Sequence, residues 1–354
     1  MSTIYNIYGT DSHTMTLKLL EAIDAVRLVP SGGNVALKPN LVVAGHPDDG
    51  ATTHAGVLSG CIEYFRAEGV SDISIIEGSW VGDNTQRAMK TAGYDEICRR
   101  YDVPFYDLKK DKTRSVDTPI GKIDVCSRAL DAGLLVNLPV LKGHCQTVMT
   151  CALKNLKGCL PDHEKRRFHS LGLTKPIAAL GSVLKAGLII VDSICGDLNF
   201  EEGGNPIHTG RMFAGTDAVM IDAFGCSLMG LELGQVPYIQ LAEKFGVGSV
   251  KFGPAVDLNE PVNAGSYPKP SGTVRSLTKN VHEDSACSAC FAALARALYV
   301  EGAGRNKSIF IGQGWKGKSI PDGAMGIGNC CKGAKSCVKG CPPSAKDIAE
   351  AFIG

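Results

Sequence analysis

The sequence has almost no excess of either charge and no long hydrophobic run. Lys plus Arg number 37 and Asp plus Glu number 36 in 354 residues, so no overall field draws the chain onto nucleic acid or an anionic membrane. The most apolar stretch, residues 177–194, is interrupted by Lys185 and Asp192, which fits a bilayer span poorly. We therefore expect a soluble protein with neither a nucleic-acid nor a membrane partner.

Several signature motifs are also missing. The N-terminus lacks a basic region followed by an apolar run, so we expect a cytoplasmic protein. No GxGxxG follows a predicted strand, there is no P-loop, and the segment at 79–82 is not a nucleophile elbow. Nucleotide binding therefore has no specific support in the sequence.

The first two thirds of the chain alternate short Val- and Ile-rich runs with segments of helical spacing, the pattern of an α/β domain with a mainly parallel sheet and flanking helices. The predicted strands are 35–38, 73–77, 120–125, 134–139 and 188–192. The predicted helices are 14–26, 55–68, 148–156 and 218–228, and a further apolar stretch covers 238–245.

A Pro-, Gly- and Asn-rich stretch at 251–280 indicates a linker or surface loop. We place the domain boundary there, with an α/β domain at 1–262 that holds an anion or substrate pocket. Residues 263–354 then form a small cysteine-rich segment for an iron-sulfur cluster.

Six of the fourteen cysteines lie in this last quarter. Cys287 and Cys290 form a pair, and a second group of Cys330, Cys331, Cys337 and Cys341 ends in Cys-Pro-Pro. A 4Fe-4S cluster needs four thiolates, and proline after the last cysteine recurs in bacterial ferredoxins. We expect Cys287, Cys290 and Cys341 as ligands, with either Cys330 or Cys337 as the third along the chain.

Zinc is the main alternative, because two cysteine pairs also suit a tetrahedral four-sulfur site. Zinc ribbons usually have two short pairs of similar spacing, whereas the second group here is spread from Cys330 to Cys341. A third interpretation makes the six cysteines free thiols. We favour one 4Fe-4S cluster.

Polar residues follow the predicted strands, where α/β sheets bind their ligands. They include Lys38 and Asn40 after the first strand, Lys142 and His144 after the fourth, and then Lys154 and Lys157. We interpret these lysines as counter-charges for an anionic small molecule and His144 as a candidate proton donor. Lysines after strands are also commonly solvated, and Asp222 is a weaker site candidate on an apolar helix.

Seven short motifs resemble those of domain-of-unknown-function family 362, in its iron-sulfur-containing branch. They are VALKPNLV at 35–42, NLPVLKGH at 137–144, ALKNLKG at 152–158, VDSICG at 191–196, GTDAVMIDAFG at 215–225, and the endings IGNC and GCPP. The resemblance implies a common site formed by Lys38, Asn40, Lys142, His144, Lys154, Asn155, Asp192 and Asp222. It also implies cluster ligation by Cys287, Cys290, Cys330 and Cys341, and so favours Cys330 over Cys337.

These features lead to three functional hypotheses. The first is an iron-sulfur oxidoreductase that moves electrons to or from an anionic substrate or a partner cofactor, with Lys142 and His144 as catalytic residues. The second is a non-catalytic electron carrier that serves a redox partner protein. The third gives the cluster, or zinc, a structural role beside a ligand-binding α/β domain.

Overall fold

The computed structural model describes residues 3–261, 273–301 and 307–353. An eight-stranded sheet forms the main body. The strands of the first range are β1 (Tyr5–Tyr8), β2 (Val35–Pro39), β3 (Ile73–Glu77), β4 (Phe105–Asp107), β5 (Thr113–Thr118), β6 (Gly121–Cys126), β7 (Leu134–Leu138), β8 (Lys142–His144), β9 (Val148–Thr150), β10 (Leu188–Asp197), β11 (Pro206–Gly215) and β12 (Val256–Asp257).

The sheet is mainly parallel. Its strand order is β12-β1-β11-β10-β7-β2-β3-β4, and β11 runs antiparallel to both of its neighbours. The β10, β7, β2, β3 and β4 strands are all parallel to one another. Their carboxyl ends therefore meet at one edge, where α/β proteins usually place their ligands.

Helices cover both faces of this sheet. They are α1 (Ser12–Ile23), α2 (Ala55–Ala67), α3 (Thr85–Thr91), α4 (Tyr94–Tyr101), α5 (Ser127–Leu130), α6 (Ala152–Asn155), α7 (Asp162–Ser170), α8 (Thr174–Val183), α9 (Ala218–Leu228) and α10 (Pro237–Lys244). Leu37 and Val136 pack in the core shared with α1 and α2, whereas Leu135 and Ile189 pack in the core shared with α6, α8 and α9. Burial on both faces explains why these strands are continuous apolar runs.

Most predicted elements agree with the structure to within a few residues. The helix predicted at 148–156 is wrong, because β9 occupies its first three residues and only the four-residue helix α6 follows. The strand predicted at 120–125 exists as β6, but it pairs with β5 in a separate antiparallel hairpin. Periodicity predicts an extended segment without telling which sheet it joins.

The C-terminal quarter is a second small α/β unit with its own sheet. Its elements are α11 (Thr273–Leu277), β13 (Val281–Glu283), α12 (Ser288–Glu301), β14 (Ile309–Ile311), β15 (Met325–Ile327), β16 (Ser336–Val338) and α13 (Ala345–Ile353). The four strands are parallel in the order β13-β14-β15-β16. In this unit the sequence predicts a helix at 287–299, a strand at 308–312 and a last helix from Ser344, which correspond to α12, β14 and α13. The boundary predicted between residues 262 and 263 lies outside the described residues.

This C-terminal unit packs against the α/β domain near the carboxyl edge of the sheet. Gln146 Nε2 donates to Ala286 O at 3.0 Å, and Gln313 Nε2 donates to Arg166 O at 3.0 Å. Gly82, in the loop after β3, lies so close to the C-terminal unit that an added Cβ would be 2.2 Å from Pro342 Cδ. In the part of the chain that the structure describes, no helix has the length and apolar character to cross a bilayer.

Gly82→Ala tests this packing. The new methyl group would collide with the rigid ring of Pro342 and with Cys341 O, so we expect the loop around residue 341 to move away and its amide hydrogens to exchange faster. Hydrogen exchange measured by mass spectrometry checks this expectation. Gly93→Ala is the matched control, because Gly93 also has a positive φ (77°, against 96° at Gly82) but nothing within 4 Å of an added Cβ. Equal exchange in the two variants would contradict the contact.

Candidate functional site

A cleft of about 650 Å³ lies between the carboxyl edge of the sheet and the start of α12. Four lysines, two glutamates and the thiol-bearing Cys287 are among the residues that surround it. The lining residues are Asn40, Leu41, Val42, Glu77, Gly78, Trp80, Val81, Lys142, Thr150, Lys154, Asn155, Lys157, Gly158, Lys165, His169, Glu201, Cys287, Ser288 and Ala289. The cleft therefore combines predicted residues of the strand ends with a predicted cluster ligand.

A buried ion pair joins the ends of β2 and β3 behind this cleft. Lys38 Nζ lies 2.5 Å from Glu77 Oε2 and also donates to Pro39 O. Glu77 Oε1 accepts a hydrogen bond from Gly78 N at 2.7 Å. Gly158 passes directly over the pair, where a Cβ would be 1.9 Å from Glu77 Oε1. Lys38 therefore forms an ion pair with Glu77 and does not line the cleft, whereas Glu77 does.

Backbone carbonyls hold two of the lysines that line the cleft. Lys142 Nζ donates to Ala51 O at 2.7 Å and to Glu201 O at 2.8 Å, and Lys165 Nζ donates to Gly78 O and Ser79 O, both at 2.8 Å. Burial lowers the pKa of Lys142 to about 7 and that of Lys165 to about 8. Near neutral pH each amine is therefore poised to lose or gain a proton.

Glu201 is the acidic centre of the cleft. His144 Nδ1 accepts hydrogen bonds from the backbone N–H groups of Gln146 and Thr147 at 3.0 and 3.2 Å, so the ring proton lies on Nε2, which contacts Glu201 Oε2. Lys154 Nζ lies 3.3 Å from the same oxygen. Burial raises the pKa of Glu201, but His144 and Lys154 outweigh it and hold that pKa well below its usual range.

His144 itself does not line the cleft. Burial lowers its pKa to about 4, so the ring is neutral at physiological pH. Its Nε2 proton faces Glu201 rather than the cavity. The structure therefore gives His144 the geometry of a residue that orients Glu201, which differs from the proton donor expected from the sequence.

Lys157 is a cation without a carboxylate partner. Its Nζ lies 3.3 Å from His169 Nε2, and within residues 3–261, 273–301 and 307–353 no carboxylate lies at ion-pair distance from it. Burial and the nearby charge of Lys154 lower the pKa of Lys157 to about 7. His169 Nε2 also faces the backbone N and the Oγ of Ser288, at 3.4 and 3.3 Å. Lys157 therefore lies near the start of α12, and its ammonium group is available to bind an anion in the cleft.

The four cysteines favoured by the family resemblance share one neighbourhood. Burial raises the pKa of Cys287 to about 11, and Cys341 and Cys330 add to the increase. Burial also raises the pKa of Cys290, to which Cys287, Cys341, Cys330 and Cys331 contribute. An added Cβ at Gly328, two residues before Cys330, would lie 3.7 Å from Cys290 Sγ and 3.6 Å from the carbonyl oxygen of Gly340, one residue before Cys341. The two cysteine-bearing stretches therefore approach each other at Gly328.

The remaining two cysteines are placed differently. Cys331 is buried in a small apolar cluster with Phe310 and Ile320. Cys337 Sγ contacts Gly328 O, and the charges that act on its thiol come from Lys339 and Lys332 rather than from the four-cysteine group. Cys330 is thus the better placed of the two candidates for the third ligand.

The donor set fits a 4Fe-4S cluster. Four thiols from two separate stretches of the chain converge, which suits ligation of a single compact core. Gly328 passes so close that an added Cβ would lie 3.7 Å from Cys290 Sγ, which allows the backbone to approach sulfur atoms. Cys287 directly precedes α12, whose N-terminal N–H groups favour negative charge.

Two predicted site residues, Asp192 and Asp222, do not line the cleft. Asp192 accepts hydrogen bonds from His54 N and pairs with His54 Nδ1, both at 2.8 Å. Asp222 accepts hydrogen bonds from Ala152 N and Leu153 N at the start of α6. Burial raises the pKa of Asp222 to about 7. It contributes to the site indirectly, because α6 carries Lys154 and Asn155.

Four of the predicted site residues, Asn40, Lys142, Lys154 and Asn155, line the cleft. Sequence reasoning did not select Glu201, which follows β10 by four residues in an irregular loop. It also did not select Glu77, Trp80, Lys165 or His169 as site residues. The adjacent acidic pair Glu201-Glu202 was the available signal, but only the fold brings it to the lysines.

Comparisons with known proteins give a family, one protein of similar sequence and one solved structure. The family model described as Domain of unknown function (DUF362) matches residues 35–227. The thylakoid-associated protein sll1697 of Synechocystis is 25% identical over 238 residues, which cover 65% of this chain and 73% of that protein. The lactate racemase apoprotein of Thermoanaerobacterium thermosaccharolyticum has a TM-score of 0.45 and 14% identity, with coverage of 64% of this chain and 56% of the racemase chain.

The lowered pKa of Lys142 predicts how stability depends on pH. Between about pH 7 and its ordinary pKa of 10.5, the amine is protonated in the unfolded chain and neutral in the folded one, so the unfolded state binds more protons and stability rises with pH. This one group can contribute up to about 1.4 kcal/mol per pH unit. Urea unfolding between about pH 7 and about pH 9 measures the slope.

Lys142→Met should flatten that slope, because the titrating amine is gone. Lys90→Met is the control, since Lys90 is exposed on α3 and should leave the slope unchanged. Identical slopes in the wild type and Lys142→Met would show that Lys142 does not titrate with a lowered pKa.

Proposed function

Since the chain belongs to the family described as Domain of unknown function (DUF362), whose description names no reaction, we propose its function from the site itself. We propose that it is an iron-sulfur oxidoreductase. In this proposal one 4Fe-4S cluster exchanges electrons with an anionic small molecule that binds in the cleft. The observation that carries the proposal is that Cys287 lines the same cleft as Lys142, Lys154, Lys157 and Lys165.

Cys287, Cys290, Cys330 and Cys341 would hold the cluster, which supplies or accepts single electrons when bound. The position of Cys287 on the wall of the cleft supports transfer to a ligand there. Cys341 is exposed, and so are Lys316, Lys332 and Lys339 in the same C-terminal unit. These lysines suit an acidic redox partner protein as the external source or acceptor of electrons.

The lysines of the cleft bind and orient the anion. Lys157 makes the main contact with the anion, because no carboxylate neutralises its charge. The charge of Lys154 is partly neutralised by its ion pair with Glu201. Lys142 and Lys157 both have pKa values lowered to about 7 by burial. Either Nζ atom can therefore deliver the proton that accompanies reduction of a bound ligand, or remove the one released on oxidation.

Glu201 and His144 fix the geometry of this arrangement. An ionised Glu201 holds Lys154 in place, and a neutral His144 orients Glu201 through its Nε2 proton. We assign proton transfer to a lysine and a positioning role to His144. Trp80 and Val81 supply apolar wall, which restricts water around the transferred charge.

Anaerobic purification followed by iron and sulfide analysis tests the cluster. We expect about four iron and four sulfide per chain and an EPR signal after reduction. Cys330→Ser should lose the signal, because it removes a ligand, whereas Cys337→Ser is the matched control and should retain it. A diamagnetic protein that contains zinc instead of iron would refute the redox function and favour a structural site.

Native mass spectrometry of the anaerobic protein tests the anion site. A small acidic ligand should remain bound to the wild type and to Lys90→Met, and Lys157→Met should bind it roughly 10- to 100-fold more weakly through loss of a charged hydrogen bond. An empty cleft in an iron-loaded wild type would instead favour a non-catalytic electron carrier.

A further inference from the structure

A second group of metal-ligand residues lies outside the cleft, beside β10. Asp48 is in the 3-10 turn Pro47–Asp49, His54 directly precedes α2, and Cys195 is on β10. One potential ligand atom from each residue lies within 4.8 Å of the other two. None of the three lines the cleft, and the proposed redox function uses none of them.

The histidine ring is oriented as it is in many protein metal sites. Its Nδ1 lies 2.8 Å from Asp192 Oδ2, and the backbone N of His54 donates to the same oxygen at 2.8 Å. The Asp192 side chain is 1% exposed and cannot turn towards solvent. Asp192 therefore keeps the proton on Nδ1 and leaves the Nε2 lone pair for a ligand, as the carboxylates behind metal-bound histidines do.

Two further potential ligands lie near the ring. Asp48 Oδ1 lies 3.2 Å from Nε2, and Cys195 Sγ lies within 4.8 Å of a ring nitrogen of His54 and of a carboxylate oxygen of Asp48. Cys195 is buried, and its Sγ contacts Pro47 O at 3.4 Å, one residue before Asp48. Sulfur, nitrogen and carboxylate oxygen are the three ligand types that Zn²⁺ accepts in tetrahedral sites.

We propose that Asp48, His54 and Cys195 bind one Zn²⁺ ion, with water as the fourth ligand and Asp192 as the carboxylate that orients His54. The alternative state is an imidazolium between the two aspartates. Burial lowers the pKa of His54, but Asp192 outweighs it and raises that pKa to about 11 in the absence of metal. A protonated His54 explains why Asp48 and Asp192 both lie next to the ring. The zinc site also explains why the thiol of Cys195 lies beside them.

The ion would join two parts of the fold that the cleft depends on. The loop that carries Asp48 continues to Ala51, whose carbonyl oxygen accepts the hydrogen bond from Lys142. The neighbouring Gly50 packs against the backbone of β10, where a Cβ would be 2.8 Å from Asp197 N. Zinc would fasten this loop to β10 and so help to fix the position of Lys142.

Zinc binding to the cluster-loaded full-length protein tests the site. We expect about one Zn²⁺ per chain after dialysis against zinc, with one sulfur and three nitrogen or oxygen neighbours by X-ray absorption at the zinc edge. Cys195→Ser should remove the sulfur neighbour, and Asp48→Asn, at an exposed position, should weaken binding without disturbing the core. Asp192→Asn should weaken it roughly 10- to 100-fold.

Cys226→Ser is the matched control, because Cys226 is also a buried cysteine but lies on α9; it should bind zinc as the wild type does. Failure of the wild type to retain zinc would overturn the proposal. A bound zinc with four sulfur neighbours that Cys195→Ser leaves unchanged would also overturn it, since that zinc would occupy the C-terminal cysteines. Iron content, measured in parallel, keeps this result separate from the test of the cluster.

Discussion

The burial of several lysine amines at one edge of a parallel sheet is the constraint on which the site depends. Taking an ammonium group out of water is costly unless hydrogen bonds or opposite charges compensate it. The protein compensates Lys38 with Glu77, and it holds Lys142 and Lys165 with pairs of backbone carbonyls. Carboxylates are fewer than amines here, so the cleft keeps positive character.

This arrangement explains why the neighbouring histidines are neutral and why Glu201 is ionised. Burial is the main cause that lowers the pKa values of His144 and His169, and the charges of the nearby Lys154 and Lys157 lower them further. Glu201, by contrast, lies near Lys154 and Lys157 and keeps its charge despite burial. The cleft is positively charged because the fold brings more lysine amines than glutamate carboxylates to its wall.

The sequence predicted the central strands and most flanking helices, because their apolar patterns are long and regular. The strand-end argument selected Asn40 and Lys142, which line the cleft, since residues at the carboxyl ends of parallel strands must lie near one another. Lys154 was selected from the helix that follows, and Asn155 from the family resemblance. The sequence did not predict β13, β15 and β16, which are as short as β14 but contain polar residues or glycine in place of its apolar Ile-Phe-Ile. Glu201 was missed because its approach to Lys154 depends on tertiary structure, 47 residues apart in the chain.

The wall of the cleft combines Asn40 with Ser288, so its two sides are separated by most of the chain. During synthesis the sheet and its helices emerge before α12 and have the core needed to fold. The cleft is consequently completed only when the C-terminal unit reaches a surface that is already formed. A chain interrupted before residue 287 would retain most of its hydrophobic core and yet have an open basic groove in place of an enclosed site.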